Sequence, residues 1–277
     1  MNTSDTELAA AGLPITRSLT VAYVLSLGVT LLMAVGSVMG LLYQAQLYPT
    51  DALRESSVPN DVVSLVIGLP VLLGSMRLAR RGRLLGLLFW PGALLYVVFN
   101  AVVYTVGLPP NLAFLLALGQ LSLSVYAMVL LISAVDGKAV ERRLAGAVPE
   151  RLAGGVLAGL GSIYLIRVLA IVVGAIVNQG TITELERALH VADVVTAPAW
   201  ILGGVLLWRR EPLGYLAGTG LLFQASMSFI GLIGVLLLQP LLTGAPFPLV
   251  DTLVVAAMGL ICFVPFGLFL RGVARRE

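Results

Sequence analysis

Arg167 is the residue whose type and position most strongly suggest chemistry in this sequence. It stands between Leu160 and Val177, where Ser162 and Tyr164 are the only other polar side chains. A guanidinium group in such a stretch costs about 2.5–3.5 kcal/mol on membrane-insertion scales, so it is expected to face a bundle interior and to have a partner. Its fixed positive charge suits an anionic or carboxylate-bearing ligand.

Asp193 is the expected partner of Arg167 among the acids near the outer ends of the chain's apolar stretches. Asp61 and Asp193 each stand near the beginning of one of these stretches. A carboxylate there caps free N–H groups and complements the helix dipole, so both are predicted to be N-terminal caps. The alternative role for both aspartates is coupling to an ion or a proton.

Neutral polar side chains at a similar depth extend the hypothesis to a central cavity. The predicted ligand-binding residues are Arg167, Asn100, Gln120, Gln224, Ser228 and Tyr164. Together they would bind an anionic small molecule. One alternative is that Arg167 and the amides only form interhelical hydrogen bonds that hold the bundle together. A second alternative is that Arg167 extends toward lipid headgroups.

The residues for most familiar membrane chemistries are missing from the sequence. Cys262 is the only cysteine and His190 the only histidine, which excludes an intrachain disulfide, a Cys-x-x-Cys redox pair and a bis-histidine metal or haem site. Lys138, the only lysine, lies between apolar stretches and cannot form an intramembrane Schiff base. We therefore predict no catalytic residue, no metal and no cofactor, and we expect that the protein is not an enzyme.

The elements that must position these residues are membrane-spanning helices. Hydrophobic residues make up 59% of the 277 residues and charged residues 11%, with a mean hydropathy of +1.01; soluble domains carry roughly 25% charged residues. Eight apolar stretches are long enough to span a bilayer. They lie near 18–43, 61–79, 84–106, 111–134, 152–177, 190–208, 213–238 and 249–271. Thr183 and Glu186 have the spacing of a capping box at the start of the sixth helix. The sequence predicts an all-α integral membrane protein in contact with the lipid bilayer.

The basic residues predict the orientation of this bundle. Fourteen of the seventeen fall in segments on one side: Arg17, Arg77, Arg80, Arg81, Arg83, Lys138, Arg142, Arg143, Arg151, Arg209, Arg210, Arg271, Arg275 and Arg276. Only Arg54 and Arg187 fall on the other side. By the positive-inside rule, both chain ends are expected in the cytoplasm and the protein in the cell membrane. The clusters lack interleaved aromatic residues, so nucleic acid is not an expected partner.

Matched strings suggest that the chain is duplicated. Asp61-Val62-Val63-Ser64 opens the second apolar stretch and Asp193-Val194-Val195-Thr196 opens the sixth, and each stretch ends in an arginine cluster. Units of four helices must enter the membrane in the same direction, as in carriers with parallel repeats. The predicted division is a tail at 1–17, a first unit at 18–134, a cytoplasmic linker at 135–151, a second unit at 152–271 and a tail at 272–277.

Three functions fit these observations, and the third of them is an intramembrane enzyme that acts on lipid. The first is a small-solute carrier or permease with a central site for an anionic group, supported by the duplication and the deep arginine. The second is a membrane sensor, assembly factor or partner subunit that transports nothing and whose polar residues only pack the bundle. That protein would act through another membrane protein or through a second copy of itself.

Overall fold

The computed structural model describes residues 13–276, so the predicted tails at 1–17 and 272–277 lie partly outside it. The structure is 84% helical and has no strand within these residues. The helices are α1 (Thr20–Leu42), α2 (Gln44–Leu47), α3 (Asp51–Arg80), α4 (Leu84–Gly107), α5 (Leu112–Ser133), α6 (Gly137–Leu144), α7 (Glu150–Val177), α8 (Glu184–Trp208), α9 (Pro212–Thr243) and α10 (Leu249–Ala274).

All of these except the short helices α2 and α6 are long and apolar enough to cross a membrane. The fold is therefore the predicted all-α membrane bundle of eight spanning helices. Below, the side on which α3 and α8 end in arginine clusters is called the basic side, and the opposite side the far side.

Side-chain caps define several helix starts on the far side. Asn111 accepts a hydrogen bond from the Phe114 N–H at the start of α5. At the start of α8, Thr183 and Glu186 form the reciprocal capping box that the sequence predicted. These caps satisfy N–H groups that have no partner within the helix.

The predicted start of the second span is wrong. Helix α3 begins at Asp51, where the Thr50 side chain accepts a hydrogen bond from the Leu53 N–H. Asp61 therefore lies inside α3, and Asp193 lies inside α8, so neither aspartate is an N-terminal cap. The polar residues after Asp51 and the proline at position 59 resemble a loop and a helix start in the sequence, but they form the far-side turns of a long helix.

A π-helical turn interrupts α3 directly below Asp61. It covers Ser64–Gly68, and the Leu69 N–H bonds to the Ser64 carbonyl oxygen. Pro70 follows this turn. A proline has no N–H to donate, and its ring clashes with the carbonyl group four residues before it in a regular α-helix. The wider turn accommodates this defect, and such turns often occur at functional sites.

The spanning helices pack in two rings that meet at α4 and α9. In the first half, α1 and α4 each pack on both α3 and α5. In the second half, α7 and α9 each pack on both α8 and α10. Helix α4 also contacts α8 and α9, and α3 contacts α9. At the central crossing, a Cβ on Gly92 would overlap the backbone of Gly220. The duplication and the parallel arrangement of the two units stay predictions.

Candidate functional site

A polar cavity lies in the first half, between α1, α3, α4 and α5. Its volume is about 30 Å³. A single water needs roughly 10–15 Å³ by this measure, so the cavity has room for about two waters. Its polar lining consists of Ser37, Tyr48, Asn60, Asp61, Ser64, Tyr96, Asn100, Tyr104 and Gln120.

The Asp61 carboxyl group is the chemical centre of this cavity. Only 2% of Asp61 is exposed. The Tyr48 hydroxyl donates to its Oδ2 at 2.7 Å, and the Tyr104 hydroxyl donates to its Oδ1 at 3.0 Å. Gly40 of α1 packs directly against the carboxyl group and the Tyr48 hydroxyl, and a Cβ at this position would overlap both. Each carboxyl oxygen therefore has a hydroxyl partner, although the Tyr104 hydroxyl also lies 3.2 Å from the Ser57 carbonyl oxygen, and α1 closes the site.

Tyr104 links this carboxyl group of α3 to α4. Its hydroxyl accepts a hydrogen bond from the Asn60 side-chain amide at 3.1 Å. Neither Tyr48 nor Tyr104 is among the site residues predicted from the sequence. A usable signal was present for Tyr104, because Tyr96, Asn100 and Tyr104 repeat every four residues and so share one face of α4. Tyr48 lies outside the spanning helices, and no local pattern points from it to Asp61.

No positive charge compensates Asp61 within the cavity. Among residues 13–276, no lysine, arginine or histidine lines it, and its other titratable groups are tyrosines. Burial beside Asp61 raises the pKa of Tyr48 well above its usual range, so this phenol stays a hydrogen-bond donor. A buried carboxylate without a counterion is costly, and it is stabilised by taking up a proton or a cation.

Two of the predicted ligand-binding residues line this cavity. The Asn100 side-chain amide donates to the Tyr96 carbonyl oxygen at 3.0 Å, one turn away. The Gln120 amide donates to the Leu32 carbonyl oxygen of α1 at 3.5 Å. In both residues the amide oxygen has no hydrogen bond among the described residues, so it can accept one from a bound species.

Gln224 and Ser228, which were predicted to share that site, lie in the second half. Gln224 is fully buried. Its Oε1 accepts a hydrogen bond from the Trp200 indole at 2.6 Å, and its amide donates to the Ser228 hydroxyl at 3.0 Å. These bonds join α8 to α9 and use both ends of the Gln224 amide, which makes it a packing residue here.

Arg167 and Asp193 form the predicted ion pair. Arg167 Nη1 lies 3.8 Å from Asp193 Oδ2, so the pairing is confirmed. The expectation that Arg167 faces the bundle interior is wrong, because 57% of its side chain is exposed, against 9% for Asp193. Tyr164 lies one turn before Arg167, and its ring packs edge-on against Trp200 with centroids 5.6 Å apart.

The predicted ligand-binding set is thus divided between two places. Asn100 and Gln120 join Asp61 in the first half, while Arg167 and Tyr164 join Asp193 in the second. No known protein family, curated protein or solved structure matches this chain. The residues themselves must therefore carry the functional argument.

Proposed function

We propose that this protein is a small-solute carrier in which the Asp61 cavity binds a proton or a cation. The observation that carries the proposal is a carboxyl group, 2% exposed, in a polar cavity where no described basic side chain lies. Hydroxyl and amide oxygens surround it, and these are the ligands that hard cations prefer. The bound species is either the coupling ion or the positively charged end of the solute.

The proposed ligand is opposite in charge to the anionic ligand that the sequence suggested. A central anion site would require Arg167 beside Asn100 and Gln120. In the structure these amides face Asp61, and Arg167 stands on the exposed side of the second half. An anion in the cavity would meet a carboxyl group and no cation, so the cavity favours a proton or a cation.

Movement of α3 would let the cavity admit a species larger than water. In this conformation its volume of about 30 Å³ has room for water that carries a proton or for a small ion. The π-helical turn at Ser64–Gly68 lies one turn below Asp61 and is a natural place for α3 to bend. The Tyr96 hydroxyl, which also lines the cavity, packs against Gly231 of α9, so movement between the halves would reach the site.

The orientation and the duplication belong to the same proposal. By the positive-inside rule, the arginine clusters favour a cytoplasmic basic side, and in that orientation the Asp61 cavity would lie in the outer half of the membrane. Two glycine pairs with equal separation support the duplication. Gly86 and Gly214 each pack on the backbone of the preceding spanning helix, and Gly92 and Gly220 meet at the centre.

Transport by the reconstituted protein tests this function. In proteoliposomes, we expect at least one small alkylamine or guanidinium compound, or protons themselves, to cross faster than in empty vesicles. Asp61→Asn should lower that rate by about tenfold or more, equivalent to about 1.4 kcal/mol. Asp51→Asn is the matched control, because Asp51 is exposed and pairs only with Arg54, and it should transport like the wild type.

Two results would contradict the carrier. The first is the absence of any flux above that of empty vesicles across the panel, which would favour the partner-subunit function. The second is equal flux through wild type and Asp61→Asn. A parallel panel of organic anions tests the sequence-based alternative, since anion flux that depends on Arg167 and not on Asp61 would restore it.

A further inference from the structure

The far-side halves of α7 and α10 are uncovered. Beyond Gly161, Val168 is the only buried residue of the described helix α7. Helix α10 has no buried residue before Gly259, although all of α10 is described. In the first half, by contrast, buried residues continue along α1 as far as Gly40. The second ring is therefore open between α7 and α10 on the far side.

Polar groups stand inside this opening, which we call the α7–α10 cleft. It lies beside Tyr164 and Arg167 of α7 and Asp193 of α8. Trp200 of α8 and Cys262 of α10, which are near these residues, are buried. Tyr164 lies within electrostatic reach of Arg167, Asp193 and Cys262, which places the side chains of all three helices in one region. The cleft is separate from the Asp61 cavity, and nothing said of it depends on the proposed carrier function.

The guanidinium of Arg167 has unused donors in this cleft. Its only described partner is Asp193, at 3.8 Å from Nη1. A guanidinium carries five N–H donors in a planar fork and binds phosphate or carboxylate through two of them at once. Asp193 lies beside Nη1 at ion-pair distance without a hydrogen bond, so the edge of the guanidinium away from Asp193 is free for a second anionic group.

The approach to this free edge is from hydrocarbon. Ile163, Ile166, Leu169 and Ile171 surround Arg167 on α7 and are all exposed. A water-soluble anion would have to cross this apolar surface, whereas a membrane lipid already lies against it. The aliphatic residues suit acyl chains, and the guanidinium suits the phosphate at their end.

The depth of Arg167 requires the headgroup to enter the cleft. Arg167 follows Arg151, at the basic-side end of α7, by sixteen residues, or about 24 Å of helix. The hydrocarbon layer is about 30 Å thick, so with Arg151 at the basic-side boundary the Cα of Arg167 would lie about 6 Å inside the far boundary. Side chains lean toward the helix N-terminus, which here points deeper. The uncovered halves of α7 and α10 leave room for a phosphate to descend to it.

We propose that the α7–α10 cleft binds one phospholipid of the far leaflet, with its phosphate on the free edge of Arg167. The acyl chains then lie along the exposed aliphatic residues of α7. Asp193 holds the guanidinium in place from the buried side and neutralises it when no lipid is bound.

Lipid retention measured by native mass spectrometry tests this site. The purified protein is stripped of lipid and given phosphatidylglycerol, diacylglycerol without phosphate, or inorganic phosphate. We expect tight retention of one phosphatidylglycerol, and Arg167→Gln should lower it about tenfold, as expected for one charge-assisted contact. Arg167→Lys should keep part of it. Arg187→Gln, which removes an exposed arginine near the start of α8, should retain lipid like the wild type.

Three results would overturn the proposal. One is equal phosphatidylglycerol retention by wild type and Arg167→Gln, and another is equal retention of diacylglycerol. The third is displacement of the lipid by inorganic phosphate, which would identify a site for a soluble anion. If Arg167→Gln instead converts a dimer to a monomer without changing lipid retention, the occupant is a second copy of the chain.

A measurement on the wild type keeps the proposal testable if Arg167→Gln does not fold. Phosphatidylglycerol with a photoreactive group near its phosphate is added to the lipid-bound protein and crosslinked. The label should concentrate on the far half of α7, at residues 163–177. Labelling spread evenly over α1, α5 and α7 would show ordinary annular lipid and would contradict a dedicated site.

Discussion

Asp61 of α3 and Asp193 of α8 are both nearly buried in the far half of the bundle, yet their surroundings differ. Asp61 accepts hydrogen bonds from two tyrosine hydroxyls and has no described cation beside it. Asp193 has Arg167 at 3.8 Å and an opening toward the bilayer. One carboxyl group is enclosed and uncompensated, and the other is compensated and open. The same residue type can therefore serve ion binding in one half and positioning of an arginine in the other.

The difference arises from the helix that closes each ring. In the first half, α1 and α5 are in close contact: a Cβ on Gly28 would lie 3.2 Å from Leu123 Cδ1, and one on Gly36 would lie 3.5 Å from Gln120 Nε2. In the second half, α7 and α10 touch little on the far side. Met33, which lines the Asp61 cavity, has Arg167 as its counterpart under the predicted duplication. A charged residue at that place is compatible with an open ring.

The largest expected difference between the halves concerns Gly40, seven residues after Met33, and Gly174, seven residues after Arg167. A leucine at position 40 would overlap Asp61 and Tyr48, so Gly40→Leu should lower the free energy of unfolding by about 3 kcal/mol. A Cβ on Gly174 meets nothing within 4 Å, so Gly174→Leu should change it by less than about 1 kcal/mol. Denaturant titration in detergent measures both, and equal losses would contradict the closed and open rings.

Removing each carboxyl group should give the next largest difference. Asp61→Ala leaves the Tyr48 and Tyr104 hydroxyls without their acceptor and should lower the free energy of unfolding by about 2 kcal/mol. Asp193→Ala leaves Arg167, which is more than half exposed and can turn to headgroups, so the loss should be about 1 kcal/mol or less. A larger loss for Asp193→Ala would reverse the comparison.

The smallest expected effect distinguishes two tyrosines. Tyr104→Phe removes a donor to Asp61 and an acceptor for Asn60, so the free energy of unfolding should fall by about 1 kcal/mol. The Tyr164 hydroxyl has no hydrogen bond among the described residues, and Tyr164→Phe should change it by only a few tenths. Thermal unfolding of the two variants side by side measures the difference. A greater loss for Tyr164→Phe would show that the second half holds a more tightly bonded site than the first.

Much of the fold could be predicted from the sequence because each membrane span is recognisable from its own residues. Continuous apolar stretches predict the eight helices, and Thr183 with Glu186 predicts the start of α8. The start of α3 could not be predicted in the same way. Its first turns are polar and contain Pro59, so hydropathy alone places the start too late.

The candidate site could be predicted only in part, because its residues lie far apart along the chain. The Arg167–Asp193 pair follows from the rule that a deep charge needs a partner. No acid was expected at the depth of Arg167, and Asp193 was the best candidate among the acids at the outer ends of the spans. The partners of Asp61 come from Tyr48 and Tyr104, on other segments, and only the packing of α1 and α4 brings them together. Depth can be estimated from sequence, but the direction in which a helix faces cannot, so Asn100 was assigned to Arg167 instead of Asp61.

Carbodiimide labelling tests the central claim most directly, which is that Asp61 takes up a proton or a cation while Asp193 is compensated by Arg167. A hydrophobic carbodiimide reacts with protonated carboxyl groups inside a membrane. In lipid and sodium-free acidic buffer, we predict one label, on the peptide that contains Asp61, which is lost in Asp61→Asn and falls as the pH rises. A label on the Asp193 peptide with none on Asp61, or no label on either, would contradict the account.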